Sequence, residues 1–334
     1  MHDPILYEKG ERTMDKAIAK QAQEFAKLWG GFRAARVLLT ANNYNIFEHL
    51  KIAKTAGQLA DILETNFRAT EILLDAVASL GMLTKQGKRY RITALAKQFL
   101  LKESPVYQGD MLRHADSLWK SWSNLDVVVK TGLPSRSESR DHEAFIRAMH
   151  NNAVFRAPVV VKALDLRKVK TALDLGGGPG TYSMELAKQG IAVTLFDVPS
   201  TLDVAKYFIQ RSKTKTIELK AGDFHADPIG KGYDLVLLSQ VFHSYSEEEN
   251  CALLGKAHNA LNPRGQVAIH EFFLKPNRAY PPVGALFSVN MLVNTSMGRS
   301  YSPQEMKRWL AKTGFRNVRE KLINDTVLVT GIKQ

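Results

Sequence analysis

Leu173-Asp-Leu-Gly-Gly-Gly-Pro-Gly-Thr-Tyr-Ser183 constrains this chain more than any other stretch. The apolar run Val169 to Leu175 leads into Gly176, Gly177 and Gly178, then Pro179 and Gly180, then a helical pattern from Tyr182 to Lys188. The spacing predicts a strand, a tight turn and a helix N-terminus. Glycine is needed where the backbone reaches positive φ or comes close to a ligand. A second strand, Ile191 to Phe196, ends at Asp197, where a carboxylate can accept from both hydroxyls of a ribose. An adenosine-like ligand is implied.

A dinucleotide fingerprint needs a third glycine where this chain has Thr181, to open the helix to a pyrophosphate. Here the glycines fall at Gly176, Gly178 and Gly180 instead. A third strand around Ile217 to Leu219 leads to Asp223-Phe224, an acid and an apolar ring suited to an adenine amino group and ring face. The strand Tyr233 to Ser239 runs into Gln240-Val-Phe-His243-Ser-Tyr-Ser-Glu-Glu-Glu249, then a helix, then Leu261-Asn-Pro-Arg-Gly-Gln-Val-Ala-Ile-His-Glu271.

This series of glycine turn, Asp197, Asp223-Phe224, His243 and Glu271, each at a strand end, resembles the class I S-adenosylmethionine-dependent methyltransferases. More narrowly it is similar to the small-molecule O-methyltransferases of the caffeate and hydroxyindole type, and the resemblance covers nearly the whole chain. It implies an α/β fold with a Rossmann-like methyltransferase sheet, mostly parallel with an antiparallel last strand. An N-terminal, mainly helical winged-helix dimerisation domain would occupy 1–105. A helical linker and the catalytic domain would occupy 106–334. It further implies a homodimer and S-adenosyl-L-methionine as cofactor, held by Gly176, Gly178, Gly180, Asp197, Asp223, Phe224 and Ser239. Two apolar strands flanking the hairpin-type turn Asn324-Asp325 fit the antiparallel end.

At 334 residues the chain is long enough for two domains, and 45% hydrophobic content supports their cores. A single cysteine, Cys251, placed on the apolar side of a helix, excludes an intramolecular disulfide and any cysteine-rich metal centre. No metal is expected, and a reducing cytoplasm suits the composition. The N-terminus lacks the basic and apolar segments of a signal peptide, and no apolar run approaches the ~20 residues that span a bilayer. The expectation is a cytoplasmic protein without a membrane span. The net charge of +13 has two readings, scattered solubilising residues or a patch for an anionic partner. Local groups lie at Lys85, Lys88, Arg89 and Arg91 and at Lys206, Arg211, Lys213 and Lys215.

Met14 to Trp29 and Arg33 to Leu50 pattern as amphipathic helices. Thr55 to Leu63 and Arg68 to Leu80 form a helix pair closed by Gly81 as a C-cap, followed by a hairpin joined at Gln86-Gly87. Helix, helix and wing admit another class of function, a DNA-binding regulator. Its would-be reading helix offers Glu71 and Asp75 beside Arg68, Thr70 and Ser79, an unfavourable face for phosphates, although the wing is basic. No nucleic-acid partner is expected. Residues 109–122 and Phe145 to Asn152 read as linker helices around a polar loop at 131–140. Their His114, Trp119 and Trp122 read as core or as pocket wall.

Methyl transfer from a sulfonium is an in-line displacement that needs alignment and a deprotonated nucleophile. A phenol, with a pKa of about 10, is mostly protonated at neutral pH. A histidine can take that proton as the methyl group arrives. The resemblance gives this role to His243, whose His-Ser-Tyr-Ser-Glu-Glu setting is similar to the family's His-Asp-Trp-Ser-Asp-Glu, and makes Glu271 its orienting acid. Glu271→Gln is then expected to cost less than His243→Ala, because the imidazole remains. His270 alternates to the other side of its strand and reads as structural. Plant members carry a further acid where this chain has Ser300, a lysine at Ser239 and an aspartate at Ser244, departures that suit a bacterial branch. Met149, Asn152, Asn290 and Asn294 are the acceptor contacts, or pocket wall without specificity. The expected reaction is methyl transfer to a hydroxyl of an aromatic or polyketide-like small molecule. Carbon methylation of a large planar ring, such as a bacteriochlorophyll precursor, is the alternative.

Overall fold

Strands that are apolar on both faces belong in a sheet covered on both sides, which parallel pairing with crossover helices supplies. A computed structural model describes residues 16–135 and 141–334. The chain forms two compact units, Met1–Lys97 and Gln98–Gln334, divided ahead of the expected boundary at 105.

In the first unit α1 (Lys16–Gly30) buries no residue. Its expected start at Met14 lies outside the described residues. The single helix expected from Arg33 to Leu50 is two, α2 (Phe32–Asn43) and α3 (Ile46–His49). Asn45 breaks it by taking a left-handed φ of 51°, which asparagine tolerates and a helix interior does not. After β1 (Lys54–Thr55) comes α4 (Ala56–Leu63), opened by a Thr55–Gln58 capping box, then α5 (Phe67–Ser79), capped by Asn66. Gly81 follows at φ 77°. Strands β2 (Leu83–Gln86) and β3 (Arg89–Ile92) turn at Gly87-Lys88, one residue later than expected, because Gly87 supplies the positive φ of 58°. With β1 they form a three-stranded sheet in the order β1-β3-β2. The hairpin residue Lys85 meets Asp75 of α5 at 2.6 Å, and the Tyr90 hydroxyl donates to the same carboxylate at 2.7 Å. Helix α6 (Ala94–Leu100) crosses the division between the units.

The second unit opens with α7 (Gly109–Ser123), α8 (Leu125–Thr131), α9 (His142–Ala153) and α10 (Ala157–Ala163). The last part of the polar loop, 136–140, lies outside the described residues. Strand and helix then alternate: β4 (Thr171–Leu175), α11 (Thr181–Ala187), β5 (Ala192–Asp197), α12 (Pro199–Ser212), β6 (Ile217–Ala221) and β7 (Tyr233–Ser239). A 3-10 turn (Phe242–Ser244) precedes α13 (Glu247–Ala260), β8 (Leu261–Phe272), α14 (Pro282–Asn294), α15 (Pro303–Lys312), β9 (Phe315–Ile323) and β10 (Thr326–Lys333). The seven strands lie in the order β6-β5-β4-β7-β8-β10-β9. Neighbours from β6 to β8 pair in parallel, and β10 runs antiparallel to both β8 and β9 after turning at Asn324-Asp325.

Alternate strand residues feed opposite layers. Leu173, Leu175, Val236, Leu238, Val267 and Ile269 pack with α13 and α15, and Cys251 lies half-buried against that layer. Ala172, Leu235, Leu237 and Ala268 pack with α10 and α11. From β4 the chain moves outward to β5 and β6, then crosses back to β7 on the other side of β4. This reversal opens a crevice at the carboxyl ends of β4 and β7, where α/β sheets bind their ligands. Among the described residues no helix is long and apolar enough to cross a membrane.

Candidate active site

The glycine turn sits at the mouth of that crevice. Gly176, Gly178 and Gly180 take φ values of 70°, 57° and 76°. A Cβ on Gly177 would collide with the side chains of Leu195 and Asp174, whereas one on Gly178 would meet no protein atom within 4 Å. The Gly178 amide donates to Asp197 Oδ2 at 2.9 Å, and the Val198 amide donates to Oδ1 at 2.8 Å. Burial pushes the Asp197 carboxyl up, opposed by these amides, by the Thr201 hydroxyl and by His142. Asp197 and the glycine turn are therefore one bonded unit.

Beneath the turn lies Asp174, which reading of the sequence passed over. It is fully buried; the Ser183 hydroxyl donates to its Oδ2 at 2.6 Å, and its Oδ1 has no partner. Burial pushes this carboxyl up to about 6, with the Ser183 hydroxyl opposing. An acid inside an apolar strand just before the glycines was the available signal.

Asp223 stands exposed at the end of β6, where its Oδ1 accepts the His225 amide at 2.8 Å. Phe224 packs edge-on against Tyr245, and its ring lies 3.2 Å from where a Gly176 Cβ would be. Ser239, also expected at the cofactor, places its hydroxyl 2.8 Å from His270 Nδ1. His270 is buried, with Nε2 3.0 Å from Thr326 Oγ1, and burial holds its imidazole down at about 3. A buried neutral histidine joining β7, β8 and β10 matches its structural reading.

Glu271, next on β8, faces the opposite way. Its Oε2 lies 2.8 Å from His243 Nδ1, and its Oε1 accepts the Phe242 amide at 2.7 Å. Asn250 of α13 donates from Nδ2 to the Phe242 carbonyl at 3.0 Å, so the 3-10 turn is held from both sides. Phe287 of α14 meets the His243 ring edge-on at 4.8 Å and Phe272 at 4.5 Å. Ser300 donates its hydroxyl to the Gly284 carbonyl at 2.8 Å and not to His243.

The four expected acceptor residues fall on two helices. Met149 and Asn152 are half-buried on α9, and Asn152 Oδ1 accepts from Arg156 at 2.9 Å. Arg156 pairs with Asp325 at 2.9 Å and lies over the Phe272 ring. On α14, Asn290 Oδ1 accepts from Trp122 Nε1 at 3.1 Å and from Asn294 Nδ2 at 3.1 Å. Trp122 thereby joins the α14 group, whereas His114 is buried edge-on against Phe145. Sequence reading also passed over His150, whose Nδ1 lies 2.8 Å from Thr181 Oγ1. A lone helical histidine gives no signal of such a bond.

Residues 131–316 match the O-methyltransferase domain family, and residues 26–102 match the O-methyltransferase dimerisation domain. The chain is 31% identical to the 3-hydroxy-5-methyl-1-naphthoate 3-O-methyltransferase of Streptomyces sahachiroi, over 86% of this chain and 88% of that one. It is 30% identical to the acetylserotonin O-methyltransferase of Macaca mulatta, over 90% of this chain and 94% of that one. The crystal structure of human N-acetylserotonin methyltransferase in complex with SAM superposes with a TM-score of 0.84 at 26% identity, covering 97% of this chain and 99% of that one. With its dimerisation and catalytic domains both matched, this chain belongs to the S-adenosylmethionine-dependent O-methyltransferase family.

Proposed function

We propose that this crevice methylates a phenolic hydroxyl on an aromatic or polyketide-like acceptor, with His243 as general base and Glu271 as the acid that orients it. The observation that carries this reading is the 2.8 Å approach of Glu271 Oε2 to His243 Nδ1. A carboxylate there keeps the proton on Nδ1 and leaves the Nε2 lone pair to accept one.

The residues present fit S-adenosylmethionine. Open space above Gly178 gives a backbone approach, Asp197 is poised for a ribose, and the buried Asp174 Oδ1 awaits a donor. Phe224 supplies a face for adenine. When bound, the cofactor supplies a methyl group on a sulfonium. The chain's own task is to align the acceptor and to remove its proton.

The aromatic wall of Phe287 and Phe272 beside His243 supports a flat acceptor. Relatives carry names that specify a naphthoate, acetylserotonin or a tetracenomycin polyketide as acceptor. A reducing cytoplasm suits a chain whose single cysteine is Cys251. The test is the rate of His243→Ala on phenols of graded acidity. Acidic phenols are already ionised and need no base, so the deficit should shrink as acceptor pKa falls. A deficit independent of acceptor pKa would reduce His243 to shaping the pocket, and methylation of carbon would then account better for the site.

A further inference from the structure

Helix α9 bonds to the first turns of two helices, α12 and α11. At its first residue, His142 Nε2 lies 3.0 Å from Thr201 Oγ1, in the first turn of α12. Near its other end, His150 Nδ1 lies 2.8 Å from Thr181 Oγ1, the residue that opens α11. The two contacts are roughly 12 Å apart along the helix axis. Both threonines are buried. The stretch between is fastened too: His150 stacks on Phe208 of α12 at 3.8 Å, and Arg147 lies 4.6 Å over Tyr207.

The threonines link these contacts to the cofactor residues. The Thr201 hydroxyl also opposes the upward push that burial gives the Asp197 carboxyl. Thr181 directly follows Gly180, where a dinucleotide turn would need glycine. Its side chain instead anchors α9.

We propose that His142 and His150 are positioning residues that fix α9 across the crevice, setting the glycine turn through Thr181 and the ribose acid through Thr201. The proposal rests on the assignment of this crevice to S-adenosylmethionine. It gives α9 a double task, because Met149 and Asn152 of the expected acceptor wall flank His150 in the chain. Binding energy then depends on a preorganised turn and not only on the atoms that touch the cofactor.

Calorimetry with S-adenosylmethionine on the full-length chain tests it. Thr181→Val keeps the volume but loses the hydroxyl, and affinity should fall about tenfold, the scale of one lost hydrogen bond. Thr181→Ser keeps the hydroxyl and should stay within about twofold. His150→Phe keeps the stack on Phe208 without the bond and should also lose about tenfold. The double variant His150→Phe with Thr181→Val should bind within about twofold of either single variant, since both remove the same contact. His142→Leu should weaken binding, and that loss should vanish in a Thr201→Val background. Multiplying losses in the His150–Thr181 pair, or wild-type affinity in Thr181→Val, would overturn the proposal while leaving the cofactor site intact. A wild-type chain that fails to bind S-adenosylmethionine would instead overturn the assignment of the crevice.

Discussion

Glu271 grips His243 at two points: Oε2 lies 2.8 Å from the ring Nδ1, and Oε1 accepts the amide of the preceding residue, Phe242, at 2.7 Å. The carboxylate therefore fixes both the orientation of the imidazole and the backbone that carries it. Glu271 is 1% exposed, so water does not compete for either bond while the side chain is in place.

His243→Ala should lower turnover on a phenolic acceptor by about 10²–10⁴-fold, the usual loss for a general base. The glycine turn proposed for the cofactor follows β4 and His243 follows β7, so S-adenosylmethionine affinity should stay within a few-fold. Initial rates and calorimetry on the same preparation separate the two. Equal losses in binding and turnover would mean that His243 supports the cofactor.

The two-point grip reverses the expectation for Glu271→Gln. The Phe242 amide needs an acceptor, so the glutamine carbonyl must face it. The glutamine NH₂ then faces His243 Nδ1 and donates to it, which moves the ring proton to Nε2. A ring protonated on Nε2 has no lone pair there for the substrate. Glu271→Gln should thus lose nearly as much turnover as His243→Ala, while Glu271→Ala should lose less because water can reach Nδ1. A mild Glu271→Gln phenotype would show that the amide flips at little cost.

The sheet and the local geometry of the candidate site were legible in the sequence because each signal is local. Gly176, Gly178 and Gly180 do take positive φ, Asp197 does close on the turn, and Glu271 and His270 do face opposite ways because a strand alternates. Contacts between elements distant in sequence were not legible. The Ser239 hydroxyl is spent on His270, and nothing near Ser239 announces that partner. The His150–Thr181 contact joins a linker helix to the glycine turn, and no periodicity encodes it. The break at Asn45 was missed because apolar spacing continues through it, whereas the backbone turns left-handed.

The first unit should hold the dimer together through α1. Phe25, Leu28, Trp29 and Phe32 recur at helical spacing and are all exposed, Leu28 at 81%. A stripe of that kind is stable in water only when covered. Light scattering at micromolar concentration should give twice the chain mass, and Phe25→Glu with Leu28→Glu should give the single-chain mass. A double variant that remains a dimer would place the interface elsewhere.

Asp174 should make stability depend on pH in a direction opposite to most carboxylates. Burial holds its folded-state carboxyl at about 6, above the 3.8 of an unfolded chain, with Ser183 the only side-chain donor to it among the described residues. The folded state therefore binds the proton more tightly than the unfolded one. Its stabilising share is complete below about pH 4 and is lost as pH rises through about 6, at a cost on the order of 3 kcal/mol. Asp174→Asn keeps the shape and cannot ionise. In the cofactor-free protein the variant should match wild type near pH 4 and melt several degrees higher at pH 7.5. Parallel melting curves at both pH values would show that the buried oxygen is not paying a desolvation cost and that something solvates it.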